Sequence, residues 1–138
     1  MNTLEPFASR LKALRREMAD NAFPAVLISK PENRRYLSGF LATDSQLDET
    51  SGFLLITRDR QILLTDSRYE IQAEREALGF EVRIYLNGPP KLIAETLKED
   101  QISRLGFEED HLTVRFHRLL KAEFPGLSLE AAPGLTEK

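Results

Sequence analysis

The stretch NRRYLSGFLATDSQLDETSGFLLITRDRQILLTDSRYEIQAERE, residues 33–76, decides the architecture. Two short apolar runs, GFLLIT (52–57) and QILLT (61–65), are separated by the charged link RDR (58–60). Apolar runs of that length on either side of a polar link predict a β-hairpin. Residues 41–51 have neither period nor apolar stripe and predict a loop. Asp66 follows the second strand directly and is placed to cap a helix beginning near Ser67. That helix carries Tyr69, Ile71, Ala73 and Leu78 and closes at Gly79.

Outward from the hairpin, the pattern alternates between strand and helix. Phe7, Leu11, Leu14 and Met18 recur at spacings of four, three and four, which places them on one face of a leading helix. Asn21 and Pro24 stop it. AVLIS (25–29) is a short continuous apolar run, as a buried strand requires. Pro31 can open a helix, because its missing N–H is not needed in the first turn; this short helix carries Tyr36 and Leu37 and ends at Gly39. Downstream, FEVRIY (80–85), RLGFE (104–108) and LSLEAA (127–132) read as strands. Between them lie a proline-started helix with Leu92, Ile93 and Leu97 inward and a helix capped by Thr113 and broken at Pro125-Gly126. Strands alternating with helices predict a single α/β domain with a mixed sheet of about six strands, containing an antiparallel hairpin and flanked by helices.

Composition narrows the function. The chain has 138 residues, 41% hydrophobic and 30% charged, with net charge −3 and no cysteine. One domain of this size can bury a single core. No apolar run approaches the ~20 residues of a membrane span, and the charged, helical opening MNTLEPFASRLKALRREM does not read as a signal peptide. A cytoplasmic protein without a membrane partner is expected. The four basic residues of the first helix are offset by acids, and no basic stripe interleaved with aromatics marks a nucleic-acid partner.

Candidate chemistry is sparse. His111 and His117 are six residues apart, so on one helix they would point ~120° from each other and could not chelate one metal. Asp44, Gln46 and Asp48 alternate as calcium ligands do, but an EF-hand loop needs Gly at its sixth position and Glu at its twelfth. Those positions hold Glu49 and Leu55. No glycine-rich phosphate loop is present. Asp66, Arg68 and Tyr69 form a polar cluster at a strand end. Such a set either polarises a substrate or ties the strand to the next helix by charge-assisted hydrogen bonds, the commoner use. No metal ligands and no catalytic residues are assigned from these patterns.

NRRYLSGF, GFLLIT, ILLTDSRYEIQAE and RLGFEED, in this order and spacing, resemble the N-terminal domain of the creatinase and Xaa-Pro peptidase family. The matching positions are Asn33, Tyr36, Leu37, Gly39 and Phe40; Thr65, Asp66, Arg68, Tyr69, Gln72 and Ala73; and Gly106 and Glu108. The resemblance runs over nearly the whole chain and implies a ribonuclease H-like architecture over 1–138. It also implies that catalysis, by two divalent ions of the Mn or Co type, belongs to a C-terminal pita-bread metallopeptidase domain absent from this chain, in a Xaa-Pro dipeptidase (prolidase) or aminopeptidase P. This domain would then be non-catalytic and hold no cofactor of its own. Its implied partners are its own catalytic domain, a second subunit in a homodimer, and a proline-containing peptide. The same resemblance makes Asp44, Asp48 and Glu49 candidates for a loop at the substrate entrance of a neighbouring active site. Asn33, Tyr36, Gly39, Phe40, Asp66, Arg68 and Tyr69 are implied to be structural. A creatine amidinohydrolase-like enzyme and a peptidase-like interaction module, whose acidic balance suits a basic partner, are the alternatives.

Overall fold

A computed structural model describes residues 5–41, 52–108 and 112–132. The order is α1 (Glu5–Asp20), β1 (Ala25–Ile28), α2 (Pro31–Ser38), β2 (Gly52–Thr57), β3 (Gln61–Thr65), a 3-10 turn (Ser67–Tyr69), α3 (Glu70–Glu76), β4 (Glu81–Ile84), α4 (Pro89–Glu99), β5 (Arg104–Phe107), α5 (Val114–Glu123) and β6 (Ser128–Ala131). The strands form one mixed sheet in the order β4-β3-β2-β1-β5-β6. The expected hairpin is β2–β3, paired antiparallel from Gly52↔Thr65 to Ile56↔Gln61. At its turn the Thr57 hydroxyl accepts N–H bonds from Asp59 and Arg60.

Handedness explains the layers. β1, β3, β4, β5 and β6 run parallel, and β2 alone is reversed. Crossovers between parallel strands are right-handed. β4 adds on one side of β3, whereas β6 adds on the opposite side of β5, so the same hand sends α3 to one face and α5 to the other. The chain also travels from β4 back across the sheet to β5, which puts α4 beside α5.

Strand alternation separates the two cores. Val26, Ile28, Leu54, Ile56 and Leu63 point to the face covered by Leu11, Leu14 and Met18 of α1, Leu37 of α2 and Ala73 of α3. Their neighbours Ala25, Leu27, Phe53, Leu55, Ile62 and Leu64 point to Ile93 and Leu97 of α4 and Leu120 of α5. Strands covered on both sides need apolar residues at every position, which is why GFLLIT does not alternate. Each fully buried leucine or isoleucine contributes roughly 1.5–3 kcal/mol.

The segment after β3 departs from expectation. It begins as a 3-10 turn, its α-helix ends at Glu76 rather than Gly79, and Ile71 and Leu78 are 71% and 59% exposed. Tyr69, Ala73 and Ala77 follow each other at spacings of four and face the core, so the small residues pack and the large ones do not. Among the described residues no helix is long and apolar enough to cross a membrane.

Gly106 of β5 is tightly enclosed: a methyl there would lie 3.0 Å from the Ala132 Cβ and 3.1 Å from the Phe23 ring. Gly106→Ala is expected to cost about 1–3 kcal/mol through overpacking. Urea denaturation would measure it, and an unchanged midpoint would mean that Phe23 and Ala132 yield freely.

Candidate functional site

With only β2 reversed, the carboxyl ends of five strands and the amino end of β2 meet at one end of the sheet. Open α/β sheets hold ligands at that end, in the crevice where two neighbouring strands send their connections to opposite faces. Here that crevice lies between β1 and β5: β1 leads into α2 on the α1 face, and β5 leads towards α5 on the other.

The crevice is occupied by the protein's own carboxylate. Glu108, directly after β5 and 8% exposed, turns one oxygen to the backbone N–H groups of Ser29 (2.6 Å) and Lys30 (2.7 Å). Its other oxygen accepts from the Asn33 amide nitrogen. Lys30 is the N-cap of α2 yet makes no side-chain cap bond, and Pro31 follows it at the first helical position. A carboxylate that follows a distant strand thus holds the two N–H groups just before the helix and a side chain of its first turn, near the positive end of the helix dipole.

From this anchored start α2 projects Arg34 into the interior, where it is 0% exposed. Its guanidinium donates to the Gly52 carbonyl (3.0 Å) and lies 5.5 Å from the Phe40 ring centroid. Phe40 meets Tyr69 edge-on, centroids 6.2 Å apart. The helix ends at Gly39 with φ +85°, and a methyl there would lie 3.1 Å from both the Glu76 carbonyl and the Phe7 ring. Glu76 accepts the Leu41 N–H at 2.7 Å. Leu41 and Gly52, which bracket segment 42–51, are therefore each held by a charged side chain.

Asp66 accepts the Arg68 N–H (2.8 Å) as the cap of the 3-10 turn and also receives the Arg68 guanidinium at 2.8 Å. Hydrogen bonding from that guanidinium holds the Asp66 carboxyl below its ordinary pKa. Arg68 lies 5.3 Å from the Tyr69 ring centroid. This geometry joins strand end to turn.

Asn33, Gly39, Phe40, Asp66, Arg68 and Tyr69 thus gather at one end of the sheet. Tyr36 is set outward from them, 46% exposed, under the Arg10 guanidinium. Asp44, Asp48, Glu49 and His111 lie outside the described residues; His117 rests edge-on against Phe107. Among the described residues no group of three or more His, Cys, Asp or Glu could hold a metal ion, so they do not fit the two-metal centre implied for the family. The reading from residues gave Arg34 and Glu76 no role, and Glu108 none beyond its motif position. For Arg34 the helical spacing to Leu37 and Ser38, both buried, was the available signal.

Two substitutions probe this end. Asp66→Ala should cost about 1 kcal/mol at neutral pH. Because the folded pKa of Asp66 is depressed, its contribution is fully present above the unfolded value of 3.8 and disappears as pH falls through the folded value. The gap to wild type in denaturation midpoint should therefore close below that pH; a constant gap would assign the effect to something other than the charge. Glu108→Ala leaves buried donors unsatisfied and should cost about 3 kcal/mol. Acetate or formate should recover part of that loss, read as a melting-temperature rise above the one given by chloride at equal ionic strength. Equal responses would refute a carboxylate occupying a ligand's position.

Residues 10–138 match the family described as the creatinase/prolidase N-terminal domain. Among curated proteins the chain is 30% identical over 104 residues to the uncharacterized peptidase YqhT of Bacillus subtilis (strain 168), covering 75% of this chain and 28% of that protein. The solved structure of a Xaa-Pro aminopeptidase from Streptococcus pyogenes superposes with a TM-score of 0.84 at 36% identity, covering 96% of both chains. That of a Xaa-Pro dipeptidase from Bacillus anthracis gives 0.84 at 27% identity, covering 95% of this chain and 35% of the other. The match over most of its length and the shared fold make this chain a member of the creatinase/prolidase N-terminal domain family.

Proposed function

We propose that this chain is the non-catalytic N-terminal domain of a cytoplasmic, proline-specific metallopeptidase, a Xaa-Pro dipeptidase or aminopeptidase, which supports dimerisation and shapes the substrate entrance of a neighbouring active site. The observation that carries the proposal is that the chain matches a family of N-terminal domains and spans under a third of the curated peptidase it resembles. The geometry supports the division of labour. The crevice where an α/β domain would take a ligand is filled by Glu108. Two divalent ions would be held by a second domain, where they would supply Lewis-acid activation of water.

The entrance role falls to segment 42–51. Its flanking residues Leu41 and Gly52 are tethered by Glu76 and Arg34, so the segment starts and finishes at the motif end of the sheet. A peptide substrate presents a free ammonium, which Asp44, Asp48 or Glu49 would attract. One partly solvated carboxylate is worth on the order of 1 kcal/mol, several-fold in KM.

The test is the full-length enzyme with Asp44→Asn, Asp48→Asn and Glu49→Gln together, assayed at low salt on Xaa-Pro dipeptides and longer Xaa-Pro peptides. A raised KM and an altered length preference with kcat preserved are expected. Unchanged KM and length preference would remove the segment from substrate selection. Xaa-Pro hydrolysis by the 138-residue chain alone would overturn the assignment as non-catalytic.

A further inference from the structure

A second feature lies at the sheet edge, away from the Glu108 crevice. Where β4 gives way to α4, the turn encloses an open cavity of about 180 Å³. Its lining includes the apolar Ile84, Leu86 and Leu92 and the polar Asn87, Lys91 and Glu95. The frame is stiff. Gly88 has φ +93° and ψ 150°, a conformation reserved for glycine, and Pro89 and Pro90 follow with fixed φ. On the other flank the Tyr85 N–H is bonded to the Thr65 carbonyl at 3.0 Å.

The charges decide what the cavity suits. The first turn of α4 is a poor anion site, because Pro89 and Pro90 have no N–H to offer. Recognition therefore rests on Lys91 and Glu95, one helical turn apart and both exposed. Among the described residues neither takes part in an ion pair. Their order, Lys before Glu, is the less favourable one for pairing along a helix. A simple anion attracted by Lys91 would be opposed by Glu95, and a simple cation would meet the converse. A molecule carrying both charges on one carbon satisfies the two together. Leu86, 86% exposed, supplies apolar surface that such a ligand would cover. The volume lies below the ~300 Å³ at which drug-sized pockets begin, so it suits a single small residue.

We propose that this cavity is a binding site for a free zwitterionic α-amino acid with a branched apolar side chain, its carboxylate at Lys91, its ammonium at Glu95 and its side chain against Leu86 and Leu92. The site stands independently of the peptidase reading and of segment 42–51.

The test is an amide-resolved NMR titration of the 138-residue chain with L-leucine, run beside 4-methylpentanoate, which lacks the ammonium, and 3-methylbutylamine, which lacks the carboxylate, at constant pH and ionic strength. L-Leucine should shift amides of residues 84–95 with a dissociation constant on the order of 1 mM. Each singly charged analogue should bind several-fold more weakly. Lys91→Met and Glu95→Gln, on the exposed helix face, should each weaken leucine binding several-fold while leaving the rest of the spectrum in place. Absence of shifts in that segment at tens of millimolar leucine would overturn the site. So would equal binding of the analogues, or variants that bind leucine as wild type does.

Discussion

The hold of Glu108 on the start of α2 is the constraint from which the rest follows. A carboxylate in a nearly dry setting must find donors, and it takes them from two backbone N–H groups and a side-chain amide. The bonds pin β5 to the exit of β1, where the chain's connections diverge to opposite faces of the sheet. They also set the direction in which α2 leaves. Every later position at that end inherits this direction: Arg34 beneath Gly52, Phe40 against Tyr69, and Gly39 wedged beside Phe7 and the Glu76 carbonyl.

The opposite end of the sheet is built differently. Arg60 reaches both oxygens of Asp100 and both of Glu81, Arg83 pairs with Glu99 while donating to the Thr96 hydroxyl, and Arg15 grips the carbonyls of Thr57 and Arg60. Arg104 joins Glu130 across β5 and β6 and stacks on Phe23. These are half-exposed guanidinium pairs, each of modest energy in water. They fasten turns and strand starts. The two ends thus differ: this one is tied by half-exposed ion pairs, whereas the other adds the buried polar groups Glu108 and Arg34.

What could be read in advance follows the range of the interaction. The hairpin, the Thr113 cap and the Asp66 cap were legible because each depends on residues within a few positions of one another. The two-sided burial of β2 was legible in an uninterrupted apolar run. Glu108 was different: its partners lie 75 to 79 residues earlier, and nothing local distinguishes it from the acidic residues that follow. Arg34 looks like surface by residue type, and only its spacing to Leu37 and Ser38 hints otherwise. Ile71 and Leu78 misled in the opposite direction, because alanines occupy the inward line of α3. Composition cannot say which side of a helix a sheet will cover.

The distance between Glu108 and its partners also has a bearing on how the domain folds. The β1–β2–β3–β4 half joins neighbours along the chain, except that residues 39 to 51 separate α2 from β2. The β1–β5 ladder instead has to close a loop of some 80 residues, as the 79-residue separation between Ser29 and Glu108 shows. Closing so long a loop is opposed by chain entropy until the contacts it brings can compensate, and such contacts slow folding. The carboxylate that organises the finished structure is therefore expected to engage late, after the antiparallel strands and α3 have given β5 a template on which to dock.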